Sequence, residues 1–204
     1  MPKQRITKEM VVHAAFEIAR SSGMEQVMVK NIADKIGCSV QPIYSYCKNM
    51  EGLRQDVTEQ VCCFIQEYIA AHIDKDELFR STGRAYVQLA KEEPYLFKIF
   101  ILHERKGISS LNDLYQSEAS PHIAEFIASK LNISILQAKQ LYMNMLIYTI
   151  GIGTVFSVTM PGISTDEIYM QQETAYKAFL NQALNGKEKQ CSRKWNKELN
   201  KETE

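Results

Sequence analysis

Apolar residues recur along this chain at helical spacing, and no stretch alternates with a period of two. Val11, Ala14, Ala15, Ile18 and Ala19 form one face of a first helix over 8–22, with Thr7 as its cap and Gly23 as its stop. Ile32, Ala33 and Ile36 line a second, short helix. Ile43 and Cys47, four apart, face back from a third. Leu53, Val57, Val61, Phe64, Ile65, Tyr68 and Ile69 stripe a long fourth helix over about 51–72, capped by Asn49. A fifth helix spans about 77–91, with Phe79, Tyr86 and Leu89 on its apolar side. Pro94 then starts a sixth, rich in aromatic residues (Tyr95, Leu96, Phe97, Ile99, Phe100, Ile101, Leu102). Residues 107–113 read as a loop. A seventh helix follows over about 121–130, an eighth runs from its cap Ser134 to about 160, and a ninth from Ser164 or Thr165 to about 184. The pattern predicts an all-α fold of about nine helices. Residues 187–204 are densely charged, lack an apolar stripe and read as a mobile tail.

The stretch from Val29 to Cys47 organises the rest. Gly37 follows the last apolar residue of the second helix, where a left-handed residue ends a helix without a Cβ penalty. Ser39 is placed to cap the third helix, and Pro42 falls in its first turn, where a missing N–H costs little. Helix, glycine turn and capped helix form the helix-turn-helix pattern, whose second helix enters a DNA major groove.

Charge sharpens this picture. The 204 residues carry no formal net charge, yet residues 1–50 hold seven Lys or Arg against four acids. The head is therefore basic by three charges and the remainder acidic by three, as suits a DNA-binding head on a body kept off the phosphates. The five cysteines form no C-x-x-C pair, and the first ten residues are too polar for a signal peptide. Free thiols in a reducing cytoplasm are the simplest account. The four histidines lack metal-ligand spacing. Gln140 to Thr165 is uncharged, but Asn144, Thr149, Thr154, Ser157 and Thr159 interrupt it and no basic cluster flanks it. It reads as a buried interface helix rather than a membrane span.

The order Val11, Ala14-Ala15, Ile18, Gly23, Ile32-Ala33, Gly37, Ser39, Tyr44, Tyr46 and Leu53 resembles the DNA-binding head of the TetR family of bacterial transcriptional regulators. The resemblance covers the first fifty or so residues. It implies an all-α homodimer: a three-helix DNA-binding domain over 1–50, then a helical ligand-binding and dimerisation domain over 51–186. Three positions depart from the family pattern. Met28 replaces a Thr that caps the second helix, Cys47 replaces a packed Phe, and Met50 replaces a Lys that contacts phosphate. Lys48 is the neighbour that takes over this last role.

The candidate DNA-binding residues are Lys30, Ser39, Val40, Gln41, Pro42, Tyr44, Ser45, Tyr46 and Lys48. Gln41 suits a bidentate pair with adenine, and Val40 and Pro42 suit a thymine methyl. The two tyrosine hydroxyls, Lys30 and Lys48 suit the phosphate backbone. With few polar base readers, selectivity should lean on DNA shape. Tyr86, Tyr95, Phe97, Phe100, His103, Tyr142, Met145 and Tyr148 are candidate lining for a pocket that takes an unknown, mostly hydrophobic effector. The implied partners are double-stranded operator DNA and a second copy, joined through the two C-terminal helices at positions such as Ile152, Phe156 and Ile168. No cofactor is expected, and no carboxylate pair, nucleophile elbow or phosphate loop points to an enzyme. The expected function is a repressor that its ligand releases from DNA. The alternative is a helical, dimeric interaction module that has lost DNA binding.

Overall fold

The computed structural model describes residues 6–46, 49–74, 76–159 and 162–185, except the side chains of Phe79, Val158 and Thr159. Among these residues there are ten α-helices, one short 3-10 turn (Met24–Gln26) and no strand. The helices are α1 (Lys8–Ser22), α2 (Val29–Ile36), α3 (Val40–Tyr46), α4 (Met50–His72), α5 (Leu78–Glu92), α6 (Pro94–Leu102), α7 (Leu111–Glu118), α8 (Ile123–Leu131), α9 (Ile135–Thr159) and α10 (Thr165–Asn185). The tail over 187–204 lies outside the described residues.

α7 corrects the reading of 107–113 as loop and the count of nine. Its start is held by a reciprocal cap in which the Asp113 N–H donates to Ser110 Oγ at 3.1 Å and the Ser110 N–H donates to Asp113 Oδ2 at 2.9 Å. The same arrangement opens α9 and α10, where Ser134 pairs with Gln137 and Ser164 with Glu167. The backbone N–H and the hydroxyl of Ser164 hold the Glu167 carboxyl below its usual range.

The chain forms two compact units. One runs to His103 and takes in Ile150–Gly162; the other comprises Glu104–Thr149 and the chain from Ile163. In the first, α1 packs on α2, α3, α4 and α6, so the head helices continue into α4–α6 without a break. Its interior is built from Val11, Ala15, Val27, Ile32, Ile43, Leu53, Val57, Val61, Leu96 and Phe97, all essentially inaccessible to water. Phe97 lies against Gly153 of α9, where any Cβ would strike the ring. The second unit buries Ile127, Ala138, Leu141 and Met143. The Tyr142 hydroxyl donates to Glu118 O at 3.0 Å, and Gln137 Nε2 donates to Ala183 O at 2.5 Å.

Candidate nucleic-acid interface

The turn between α2 and α3 is built by Gly37, at φ 78° and ψ 38°. In this left-handed conformation the Cys38 N–H reaches back to Ala33 O (2.9 Å) and the Gly37 N–H to Asp34 O (3.2 Å). These two bonds satisfy carbonyls that the end of α2 would leave orphaned. A side chain at Gly37 would meet nothing within 4 Å, so the backbone conformation and not space selects glycine here. At the other end of α2, Met28 provides no side-chain cap, as its apolar side chain dictates.

Ser39 directly precedes α3, yet its hydroxyl takes part in no hydrogen bond among the described residues. The physical reason lies in the sequence. Counting from Ser39, Pro42 is the third helical residue, and it lacks the N–H that such a cap commonly accepts.

Ile43 is completely buried and anchors α3. Around it, Val40 is 44% exposed and Tyr44 63% exposed, while Gln41, Ser45 and Tyr46 are also exposed and Pro42 is half-buried. Tyr44 is therefore a surface aromatic and not a packed core residue. Ser45 Oγ donates to Gln41 O at 3.3 Å, which leaves the Gln41 amide group outside that bond. Among the described residues α3 bears no charge, and Lys30 and Lys35 stand exposed on α2 beside the acidic Asp34. Lys48 and Cys47 lie outside the described residues. Asn49 caps α4 by accepting the Gly52 N–H at 2.7 Å, and Lys8 pairs with Asp56 at 2.8 Å, joining α1 to α4.

The candidate effector residues fall into two groups, one in each unit. In the first, the Tyr86 and Phe100 rings lie 6.3 Å apart and Phe100 and His103 5.7 Å apart, while Phe97 is interior. Tyr95 and His103 also line an open cleft of about 230 Å³ together with Met24, Lys98 and Leu102. In the second unit, Tyr142 meets Tyr115 edge-on at 5.6 Å, and Tyr148 meets Phe179 edge-on at 6.3 Å, while Met145 is buried. Burial pushes the Tyr115 hydroxyl above its usual range. Sequence reading passed over Tyr115, Met24 and Leu102. Tyr115 follows the segment mistaken for loop, and nothing local distinguishes the other two.

Two positions expected at a subunit interface are occupied within the chain: Phe156 is 5% exposed and Ile168 is also buried. Elsewhere on α9, Ile147 is 52% exposed and Val155 50%, and Gly151 is exposed. On α10, Met170 and Leu184 are exposed. No helix among the described residues is long and apolar enough to cross a membrane.

No protein-family model matches the chain, and no curated protein matches it.

Proposed function

We propose that this chain is a sequence-specific DNA-binding transcriptional regulator of the TetR type, a homodimer that acts as a repressor and is released from its operator by a small, mostly hydrophobic ligand. The observation that carries this reading is the surface of α3. A left-handed Gly37 sets a short, uncharged helix by its buried Ile43, and Val40, Gln41, Tyr44, Ser45 and Tyr46 are left facing out. Two tyrosines, a valine and a glutamine side by side on one short uncharged helix offer hydroxyl, amide and apolar groups that suit phosphates and base edges.

The dimer would form through the two C-terminal helices, α9 and α10, as a four-helix bundle about a two-fold axis. Obligate interfaces of this kind bury on the order of 2,000 Å² or more. The two copies of α3 would then meet successive major-groove faces about 34–36 Å apart, or a multiple of that. A ligand that prefers one conformation of the body would change this spacing, with a coupling of about 1–3 kcal/mol.

The test is selection of bound sequences from random DNA by the full chain. A two-fold symmetric pair of half-sites with that spacing is the expected product; no enrichment refutes the reading. The alternative, an interaction module that has lost DNA binding, draws on Met28, which is exposed and caps nothing, and on Met50 in place of a Lys. A salt titration separates the two, because a regulator loses DNA affinity steeply as salt rises.

A further inference from the structure

Two adjacent acids at the junction of α5 and α6 grip two other helices. Glu93 sits between the last residue of α5 and Pro94, with its side chain 14% exposed. Both its oxygens accept from Arg20 Nε at 3.0 Å, and Arg20 Nη2 also donates to Oε1. Arg20 belongs to the last turn of α1, and its guanidinium lies 5.2 Å over the ring of Phe64 on α4. The neighbouring Glu92 accepts from the Tyr68 hydroxyl of α4 at 2.7 Å. Phe64 and Tyr68 continue a row of rings from Phe16 to His72.

The backbone makes this junction stiff. Pro94 fixes its own φ and disfavours helical geometry at Glu93, whose N–H still closes α5 by donating to Leu89 O at 2.8 Å. Glu92 and Glu93 are consecutive residues, so a change in the angle between α5 and α6 moves both carboxylates at once. A forked guanidinium–carboxylate pair has only a narrow range of good geometries, and a partly buried one costs more to break than an exposed ion pair. α1 in turn packs on α2 and α3.

We propose that the Arg20–Glu93 pair is a latch that fixes the orientation of α1–α3 on α5–α6, so that movement at the α5–α6 junction reaches the DNA-reading helix through α1. The regulatory half of this inference rests on the proposed function; the latch itself does not.

Amide hydrogen exchange on the full chain tests it, with Glu93→Gln, Arg20→Gln, the milder Arg20→Lys, and the double variant Arg20→Gln/Glu93→Gln. Loss of one charge-assisted partner should speed exchange in α1–α3 by about tenfold, with α5 and α6 unchanged. The double variant should be no worse than the worse single one, because both remove the same contact. Exchange that rises evenly through α1–α6, or in neither single variant, overturns the latch. In parallel, Glu93→Gln should weaken binding to the selected DNA about tenfold while affinity for random DNA stays the same. Equal affinity for selected DNA overturns the relay to α3. If the unmodified chain selects no DNA, the regulator reading falls and the exchange result still decides the latch.

Discussion

Gly151 and Gly153 stand two residues apart on α9 and differ in what a Cβ would meet. At Gly151 nothing lies within 4 Å; at Gly153 the added carbon would sit 2.9 Å from Phe97 Cε1 and closer still to Cζ. Neither has a positive φ, so alanine fits the backbone of both. Replacing a mid-helix glycine by alanine stabilises by about 0.8–1.0 kcal/mol through helix propensity alone. That term is common to the two sites and cancels in their difference. What remains is the cost of displacing a ring that is fully buried, about 1–3 kcal/mol for overpacking a fitted core. Gly151→Ala should therefore stabilise by nearly 1 kcal/mol, and Gly153→Ala should be neutral or destabilise by up to about 2 kcal/mol. With about 2–4 °C of melting temperature per kcal/mol for a chain of this size, the two variants should melt several degrees apart. The assay is far-UV circular dichroism at fixed protein concentration, because an oligomer melts by mass action. In a Phe97→Leu background, where the ring is gone, most of the difference should vanish. Equal melting temperatures for the two variants would show that Phe97 does not close on α9 at Gly153.

Three further outcomes follow from the same geometry. Gln41→Ala should relax base preference at one position of each half-site by about 1–3 kcal/mol, and Lys48→Ala should weaken all DNA alike; equal loss on selected and random DNA in Gln41→Ala would remove Gln41 as a base reader. Val155→Asp should give folded monomers by light scattering, whereas Phe156→Asp should unfold the chain because its side chain is interior; an intact dimer in Val155→Asp refutes the interface. The backbone N–H and hydroxyl of Ser109 hold the Asp113 carboxyl below its usual value of 3.8, and Ser164 does the same for Glu167 below 4.5. A depressed carboxyl favours the fold above its unfolded pKa and loses that effect as pH falls through its folded one, so stability should decline below about pH 4.5 through Glu167 and more steeply below about pH 3.8 through Asp113, and Asp113→Asn should remove the second part.

The helix-turn-helix pair α2–α3 was legible because its determinants are local. Gly37, Ile43 and the face of Ile32 and Ala33 lie within a dozen residues, and each acts on its immediate neighbours. The expected Ser39 cap failed on an equally local rule, since Pro42 takes away a donor that a capping hydroxyl uses. α7 was missed although Ser110 and Asp113 carry the signature of its start; it buries only Asn112 and Tyr115, so no apolar stripe marks it. α9 shows the opposite difficulty. It is apolar on most sides, so periodicity identifies the helix and not its outward face, and Val155 and Phe156 exchange roles through a rotation of about 100°. The Arg20–Glu93 pair spans 73 residues and leaves no trace in any local pattern.

That last pair bears on how signals would travel. α4 runs from Met50 to His72 and packs against α1, α5 and α6, so in the proposed regulator it would be the lever that moves the head. A lever held at one end only would let the head swing whatever a ligand did. Arg20 and Phe64 tie α1 to α4, while Glu93 ties α1, and Glu92 ties α4, to the junction of α5 and α6. The head is thus fixed at two points on neighbouring helices, and a tilt of α4 without a matching shift at the α5–α6 junction would break one of them. A shielded charge-assisted contact is worth about 1.5–3 kcal/mol, and solvent at Arg20, whose side chain is 40% exposed, lowers this toward the bottom of the 1–3 kcal/mol over which effectors typically couple to a distant site. In the proposed regulator, a contact of this order would bias one orientation of the head over another, and Glu93→Gln would remove that bias.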